Sequence, residues 1–242
     1  MLFPKIFLSG NRHLAKFSCL CLLLTACMQS TKTSKDKVRE SFKTPASKTI
    51  VLTPPKALAK DIIRTATAVE FMTAYGQKHQ ETYVQLHTRL GVMTLRLYKN
   101  TPLHRASFLY LTEKGYFDTT CFYRVVPGFI VQGGNSDSEQ TTAFRNRLNN
   151  YLLPSEFRKN RKHKRGALAA ARDWEHNPEK KSTPFEFYVI QSHKSQSHLD
   201  YEHTVFGEVV EGIELIDKIA AEAIDVYEWP KKDIPIKMTV LK

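Results

Sequence analysis

The feature that most constrains the fold of this 242-residue chain is the run of residues 122–134, Phe-Tyr-Arg-Val-Val-Pro-Gly-Phe-Ile-Val-Gln-Gly-Gly. Both halves of the run are strand candidates. The central proline-glycine pair forces a bend between them, and the two final glycines end the second strand. Arg124 and Gln132 lie eight residues apart, and because strand side chains alternate between two faces, both can lie on one face. The run therefore predicts two strands that carry an arginine and a glutamine on the same side of a sheet.

Short strand patterns dominate the sequence from residue 81 to residue 242. Apolar and polar residues alternate over residues 83–88 and again over residues 92–98, and the short link through Gly91 predicts a hairpin. Further strands are predicted at residues 120–126, 129–132, 166–171, 185–190, 205–209 and 236–241.

Two segments have the helical period instead. Residues 101–115 offer Thr101 as N-cap, Pro102 in the first turn and Gly115 as C-cap. A second helix is predicted over residues 213–221. Many short strands with two helices indicate a mainly β fold, a closed antiparallel barrel of about eight strands capped by two helices, rather than a βαβ array.

The first 26 residues are predicted to be an export signal. A basic segment precedes an apolar run at residues 17–24, which is far shorter than the ~20 residues that cross a bilayer as a helix. The run ends Leu-Thr-Ala-Cys, which resembles the bacterial lipobox and implies lipid attachment at Cys27. Two or three acyl chains, at about 0.8 kcal/mol per buried CH₂, anchor a domain firmly. We expect a lipid-anchored protein of the bacterial cell envelope, facing the periplasm or on the outer membrane; the alternative is an ordinary signal peptide with an incidental cysteine.

Between the leader and residue 81, the composition changes twice. Residues 27–56 are rich in Lys, Ser, Thr and Pro and poor in apolar residues, which predicts a disordered tether. Residues 57–80 are predicted to add an N-terminal helix that Gly76 ends. The residues that would line one face of this helix are Leu58, Ile62, Val69 and Met72.

Two other kinds of site are considered from the sequence: a basic patch, in keeping with the formal net charge of +12, and a histidine cluster. Residues 157–165 hold six basic side chains, which could contact phosphates, lie in a solvated loop or attract anionic lipid. The export signal disfavours nucleic acid as the partner. His193, His198 and His203 could suggest a metal site, but their five-residue spacing does not keep them on one helix face. Cys121 is predicted to be a buried packing residue without a disulfide partner.

The run 122–134 closely resembles the signature of the cyclophilin family of peptidyl-prolyl cis/trans isomerases, Phe–any–Arg–aliphatic–aliphatic–Pro-Gly-Phe–any–any–Gln-Gly-Gly. The resemblance extends to the pocket-wall strand at residues 166–171, the aromatic strand at residues 185–190 and the segment 198–207, which ends in Val-Phe-Gly. It covers roughly residues 82–241. The implied fold is the cyclophilin-like barrel, and the implied activity is isomerisation of X–Pro bonds in envelope or secreted proteins.

The resemblance also implies roles for individual residues. Arg124 is the expected catalytic cation, Gln132 is expected to bind the substrate backbone, and His203 is expected to close the site beside the proline ring. The residues expected to bind substrate around them are Phe129, Ile130, Ala171, Tyr188 and Leu199, with Ala171 contacting the residue before proline. No cofactor or metal is implied. The expected partners are proline-containing polypeptides, and the protein is expected to be a monomer.

Several positions depart from the commonest family pattern. In each case this chain has a residue other than the usual one: Ile130 instead of methionine, Arg172 instead of asparagine, Glu186 instead of glutamine, Tyr188 instead of phenylalanine and His198 instead of tryptophan. Residues 135–155 and 172–183 are insertions. These departures support an alternative function, a non-catalytic module or chaperone that binds proline segments on the same fold.

Overall fold

The computed structural model describes residues 62–242; the predicted leader, Cys27 and the tether lie outside them. The strands are β1 (Tyr83–Thr88), β2 (Gly91–Leu97), β3 (Cys121–Val126), β4 (Ile130–Asn135), β5 (Ala167–Ala170), β6 (Phe187–Ile190), β7 (Val205–Glu211) and β8 (Lys237–Leu241). They form one sheet in the order β3-β4-β6-β5-β7-β2-β1-β8, with antiparallel pairing throughout. The predicted strands are therefore confirmed.

The described residues form four α-helices, α1 (Ala68–Lys78), α2 (Pro102–Glu113), α3 (Glu139–Arg147) and α4 (Glu214–Ala220). The two predicted capping helices correspond to α2 and α4. Helix α3 was not predicted, because it lies within an insertion and only Thr141 and Phe144 of its side chains are buried. None of the helices in residues 62–242 has the length and apolar character needed to cross a bilayer.

The predicted closed barrel is not confirmed, because the sheet is a curled half-barrel whose edges are β3 and β8. No ladder joins these two edges within the described residues. The segment before β8 instead makes two backbone hydrogen bonds with the start of β3. Phe122 N–H donates to the carbonyl of Ile234 (3.0 Å), and Ile236 N–H donates to that of Thr120 (2.9 Å). A short bridge thus joins the edges without a continuous strand pairing.

Side chains on the two faces of the sheet enter two separate apolar clusters. Along β6, Phe187 and Val189 belong to the main core, which α2 and α4 cover, whereas Tyr188 and Ile190 belong to a smaller cluster on the other face. This alternation is the ordinary period of a strand. The smaller cluster, called the outer cluster below, comprises Tyr98, Ile130, Ala167, Ala169, Tyr188, Ile190, Leu199 and Val205.

Helix α1 begins later and ends later than predicted. Gly76 does not end the helix, since α1 continues to Lys78 and Gly76 is buried within it. A Cβ on Gly76 would lie 3.1 Å from Cβ of Ala106, so the glycine allows α1 and α2 to pack closely. Of the predicted apolar face, Met72 is buried, whereas two further members are exposed and Leu58 lies outside the described residues.

The start of α2 is capped by a residue distant in sequence. Thr101 occupies the predicted N-cap position, but its hydroxyl donates to the carbonyl of Tyr98 and makes no cap hydrogen bond. The buried carboxylate of Glu156 instead accepts from the backbone N–H groups of Leu103 (3.2 Å) and His104 (2.9 Å). A negative charge at a helix N-terminus is favourable, because the first N–H groups lack helical partners.

Cys121 is buried, as predicted, and its thiol lies 3.3 Å from the carbonyl oxygen of Asn135. Burial, together with nearby Asp233 and Asp137, raises the pKa of this thiol to about 12. Cys121 therefore remains a protonated packing residue at neutral pH.

We expect Gly134→Ala to lower the free energy of unfolding by about 3 kcal/mol, through a steric clash added to left-handed backbone strain. The φ of Gly134 is 98°, and a Cβ there would lie 2.2 Å from the carbonyl oxygen of Phe185. Gly115→Ala is the matched control: its φ is 75°, but a Cβ there would meet nothing within 4 Å. Urea unfolding followed by circular dichroism measures both; equal losses would show that the clash at Gly134 does not matter.

Candidate active site

Four residues form a row across neighbouring strands on the face of the outer cluster. Arg124 of β3 pairs with Gln132 of β4, Gln132 pairs with Tyr188 of β6, and Tyr188 pairs with Ala169 of β5. Directly opposed residues of a sheet share a face. The two polar residues that the sequence placed on one face are therefore direct neighbours, beside an apolar surface that begins at Tyr188.

A β-bulge brings a third polar residue to this row. Phe122 and Arg124 pair with the consecutive residues Gly133 and Gln132, so Tyr123 is an extra residue on β3. The Nε2 of Gln132 donates to the Tyr123 hydroxyl, and Nη1 of Arg124 lies 3.4 Å from Oε1 of Gln132. These contacts fix the orientation of the Gln132 amide, with its oxygen toward Arg124.

The Tyr123 hydroxyl connects the site to the first insertion. It donates to Oε2 of Glu186 at 2.8 Å, and Nη1 of Arg145 in α3 donates to the other carboxylate oxygen, Oε1, at 2.8 Å. Burial and the adjacent Glu186 raise the pKa of Tyr123 well above its ordinary value, so it remains a phenol and a donor. Glu186, which departs from the family pattern, thus has a partner supplied by the inserted helix.

Arg124 has an acidic partner that the sequence did not predict. Nε of Arg124 donates to Oε2 of Glu228 at 2.7 Å, and the backbone carbonyl of Glu228 accepts from Val125 N–H at 2.8 Å. Glu228 has a φ of 67°, within a tight loop in which Asp225 accepts from two backbone N–H groups. Because Glu228 is far from Arg124 in sequence and outside any strand or helix, no pattern in the sequence identified this contact.

The residues predicted to wall a proline pocket lie together. Ile130, Tyr188 and Leu199 are buried members of the outer cluster, and Phe129 packs against it while remaining partly exposed. The Phe129 ring lies 6.0 Å from the imidazole of His198, nearly parallel to it. The structure therefore places all four predicted side chains at one apolar surface next to Gln132.

The hydroxyl that distinguishes Tyr188 from phenylalanine has a buried partner. It lies 3.1 Å from Nε2 of His163, whose Nδ1 lies 2.9 Å from Oδ1 of Asp200. Since the carboxylate accepts from Nδ1–H, Nε2 is the acceptor for the Tyr188 hydroxyl. Burial lowers the pKa of His163, despite the opposing effect of Asp200, which favours this neutral tautomer. Nothing in the sequence pattern indicated the role of His163.

His203 stands at the edge of the apolar surface. Its Nδ1 lies 3.1 Å from the carbonyl oxygen of Ala170, and its ring meets that of Tyr188 edge to face at 5.5 Å. Burial lowers the pKa of His203 to about 4, so the ring is neutral at physiological pH and donates through Nδ1. His203 can therefore contact a substrate as an uncharged ring.

Ala171 is buried close to His203, but its backbone is largely engaged. Its N–H donates to the carbonyl of Glu186 (3.0 Å), and its carbonyl accepts from Thr183 N–H (2.9 Å). The predicted backbone contact with a substrate would therefore use the second lone pair of the carbonyl oxygen.

The two other kinds of site considered from the sequence have little geometric support. Most basic side chains of residues 157–165 have protein partners: Arg158 with the carbonyl of Asn100, Arg161 with the ring of Tyr98, Lys162 with Asp200 and Arg165 with Asp217. Among the described residues, the potential metal ligands whose atoms lie within 4.8 Å of one another are His79, Glu81 and Glu113. This group does not include the three histidines singled out by their spacing.

Comparisons with known proteins agree with this geometry. The model of the family described as "Cyclophilin type peptidyl-prolyl cis-trans isomerase/CLD" matches residues 83–240. The "Peptidyl-prolyl cis-trans isomerase" of Acinetobacter baylyi is 30% identical over 172 residues, covering 66% of this chain and 86% of that protein. The "Peptidyl-prolyl cis-trans isomerase A" of Dickeya dadantii is 27% identical over 192 residues, covering 76% of this chain and 96% of that protein.

A solved structure shares the fold. The crystal structure of a cyclophilin type peptidyl-prolyl cis-trans isomerase from Cryptosporidium parvum matches with a TM-score of 0.56 at 23% identity, covering 67% of this chain and 98% of that one. The chain belongs to the cyclophilin-type peptidyl-prolyl cis-trans isomerase family.

We expect Glu228→Ala to lower kcat/KM for X–Pro isomerisation about tenfold, because the Arg124 guanidinium loses the contact that orients it. Glu228→Gln should retain most activity, since an amide oxygen can still accept from Nε. A protease-coupled assay on an X–Pro peptide measures both variants. Wild-type or faster turnover in Glu228→Ala would show that Glu228 does not position Arg124 for catalysis.

Proposed function

We propose that this protein accelerates cis/trans rotation of X–Pro bonds with Arg124 as the catalytic cation. The observation that carries the proposal is the adjacency of Arg124 and Gln132 to the apolar surface of Phe129, Ile130 and Tyr188. That arrangement offers a hydrogen-bond donor and an acceptor next to a surface suited to a proline ring.

The chemistry needs no nucleophile, general base or cofactor, since no covalent bond is made or broken. Resonance keeps the peptide bond planar, with a rotation barrier of about 18–20 kcal/mol. Twisting the amide localises a lone pair on the proline nitrogen, and a guanidinium N–H can donate to this lone pair only when the amide is twisted. The interaction is thus stronger in the transition state than in the ground state, which is the condition for catalysis.

The structure supports a division of labour among the side chains. Nε of Arg124 is occupied by Glu228, so the terminal nitrogens are the groups available to the substrate. We assign Gln132 to the substrate backbone and His203 to the edge of the proline ring. The apolar residues, including Leu199, hold that ring while the preceding carbonyl rotates. Ala171 contacts the residue before the proline.

Proline-containing polypeptides are the proposed substrates. The crystal structure of the Cryptosporidium parvum protein has also been determined in the presence of the dipeptide Ala-Pro. All the proposed site residues come from one chain, so we propose that a monomer is active.

Arg124→Ala is expected to lower kcat/KM by about 10²–10³, the usual effect of removing one preorganised donor to a transition state. Arg64→Ala is the matched control, because Arg64 is an exposed arginine that precedes α1. Exchange spectroscopy by NMR on an Ala-Pro peptide measures the rate. Undiminished turnover in Arg124→Ala would refute the mechanism. Binding without acceleration by the wild-type protein would favour the non-catalytic binding module.

We further propose that the protein is exported and held at a bacterial membrane through lipid on Cys27, where it acts on envelope or secreted proteins. The support is the short apolar run followed by Leu-Thr-Ala-Cys. We expect labelled palmitate to be incorporated into the wild-type protein, but not into Cys27→Ala, when each is produced in a bacterial host. Cys121→Ala is the matched control and should be labelled like the wild type. An unlabelled wild-type protein would contradict lipid attachment.

A further inference from the structure

The insertion at residues 172–183 places an aromatic side chain at the candidate active site. The rings of Trp174 and His203 make an edge-to-face contact, with 5.2 Å between ring centroids and 70° between ring planes. Trp174 is nonetheless 61% exposed. A large apolar side chain next to a site, yet mostly uncovered, is typical of a surface that another molecule contacts.

One face of Trp174 is held by a buried arginine. The guanidinium carbon of Arg172 lies 4.0 Å from the centroid of the indole ring system, and the Arg172 side chain is almost fully buried. Nε and Nη2 of Arg172 donate to the backbone carbonyl and to a carboxylate oxygen of Glu202, both at 2.7 Å. The indole therefore rests on a fixed base, while more than half of its side chain stays exposed.

The rest of the insertion is also held in place. Nζ of Lys180 contacts the second carboxylate oxygen of Glu202 at 2.5 Å. The side-chain amide of Asn177 donates to the backbone carbonyls of Asp173 (3.0 Å) and Lys181 (2.9 Å). Because the loop is already ordered, a ligand that packs on the indole would not have to order it first.

The group that this surface offers for an apolar contact is the indole, which is 61% exposed. The arginine beneath the indole, Arg172, and the lysine of the same insertion, Lys180, are both paired with Glu202. What remains for a ligand is the exposed part of the indole, which favours contact with large apolar or aromatic groups.

The position of Trp174 indicates which part of the substrate would meet it. Trp174 follows Ala171 by three residues, and the hydrogen bond from Thr183 N–H to the Ala171 carbonyl closes the base of the insertion. Ala171 is the residue expected to contact the amino acid before the proline. The indole contacts His203, at the edge of the proline ring, and is three residues from Ala171, so it would stand beside the X–Pro bond on the side that precedes the proline.

We propose that Trp174 is a specificity-determining residue, which selects proline segments with a large apolar or aromatic side chain at one of the two positions before the proline. This inference rests on the proposed function.

The test compares kcat/KM for X–Pro peptides that carry Phe or Ala at each of those two positions. The wild-type protein should prefer Phe about three- to tenfold at one position, the usual strength of an aromatic contact. Trp174→Ala should reduce this preference to about one, and Trp174→Phe should restore most of it. Tyr83→Ala, which removes another exposed aromatic side chain, should keep the preference. Changing the residue after the proline should affect the wild-type protein and Trp174→Ala equally.

A binding measurement separates this inference from the proposed function. The chain has two tryptophans, so Trp229→Phe leaves Trp174 as the sole indole fluorophore. Titration with the Phe-containing peptide should shift its emission to shorter wavelength, because the peptide covers the indole. An unchanged Phe preference in Trp174→Ala, or unchanged emission at saturation, would overturn the inference. Failure of the wild-type protein to accelerate any peptide would overturn the proposed function instead.

Discussion

The register between β3 and β4 is the constraint on which the candidate site depends. Arg124 and Gln132 are neighbours only because these strands pair as they do, and a slip of one residue would turn every side chain of a strand to the opposite face. Two features hold the register. The turn at the proline-glycine pair is closed by a hydrogen bond from Phe129 N–H to the Val126 carbonyl, and Gly133 fits where a Cβ would meet core side chains. The bulge at Tyr123 then adds a third polar group without disturbing the pair.

A continuous chain of polar contacts runs through the site from one insertion to a distant loop. It passes from Arg145 through Glu186, Tyr123, Gln132 and Arg124 to Glu228. Partly buried polar groups are costly when unpaired, and each member of this chain has a partner. The inserted helix α3 is therefore part of the machinery that orients Gln132, and the unusual Glu186 is best understood as its link. The contacts of Arg124 and Gln132 thus extend to residues outside the signature run.

The sequence predicted the strands and the placement of Arg124 and Gln132 on one face because both follow from local alternation. The run 122–134 carries its own turn and its own periodicity, so a short window contained the information. Glu228 and His163 were missed for the opposite reason: each meets its partner only through tertiary packing, across 104 and 25 residues respectively. Helix α3 was missed because its few buried residues give almost no apolar period. The predicted helix end at Gly76 was wrong, because the sequence does not distinguish a glycine that allows close helix packing from a glycine that ends a helix.

The pairing of β1 with β8 has a consequence for how the domain forms. Tyr83 lies opposite Leu241, so the first and last strands of the sheet are direct neighbours. Contacts between residues so far apart in sequence impose a large loop-closure entropy and slow folding. During synthesis, β1 therefore has β2 as a partner on one side while its other edge stays open until β8 is available to pair with it. Over that interval, the unpaired backbone edge of β1 is open to pairing with another chain.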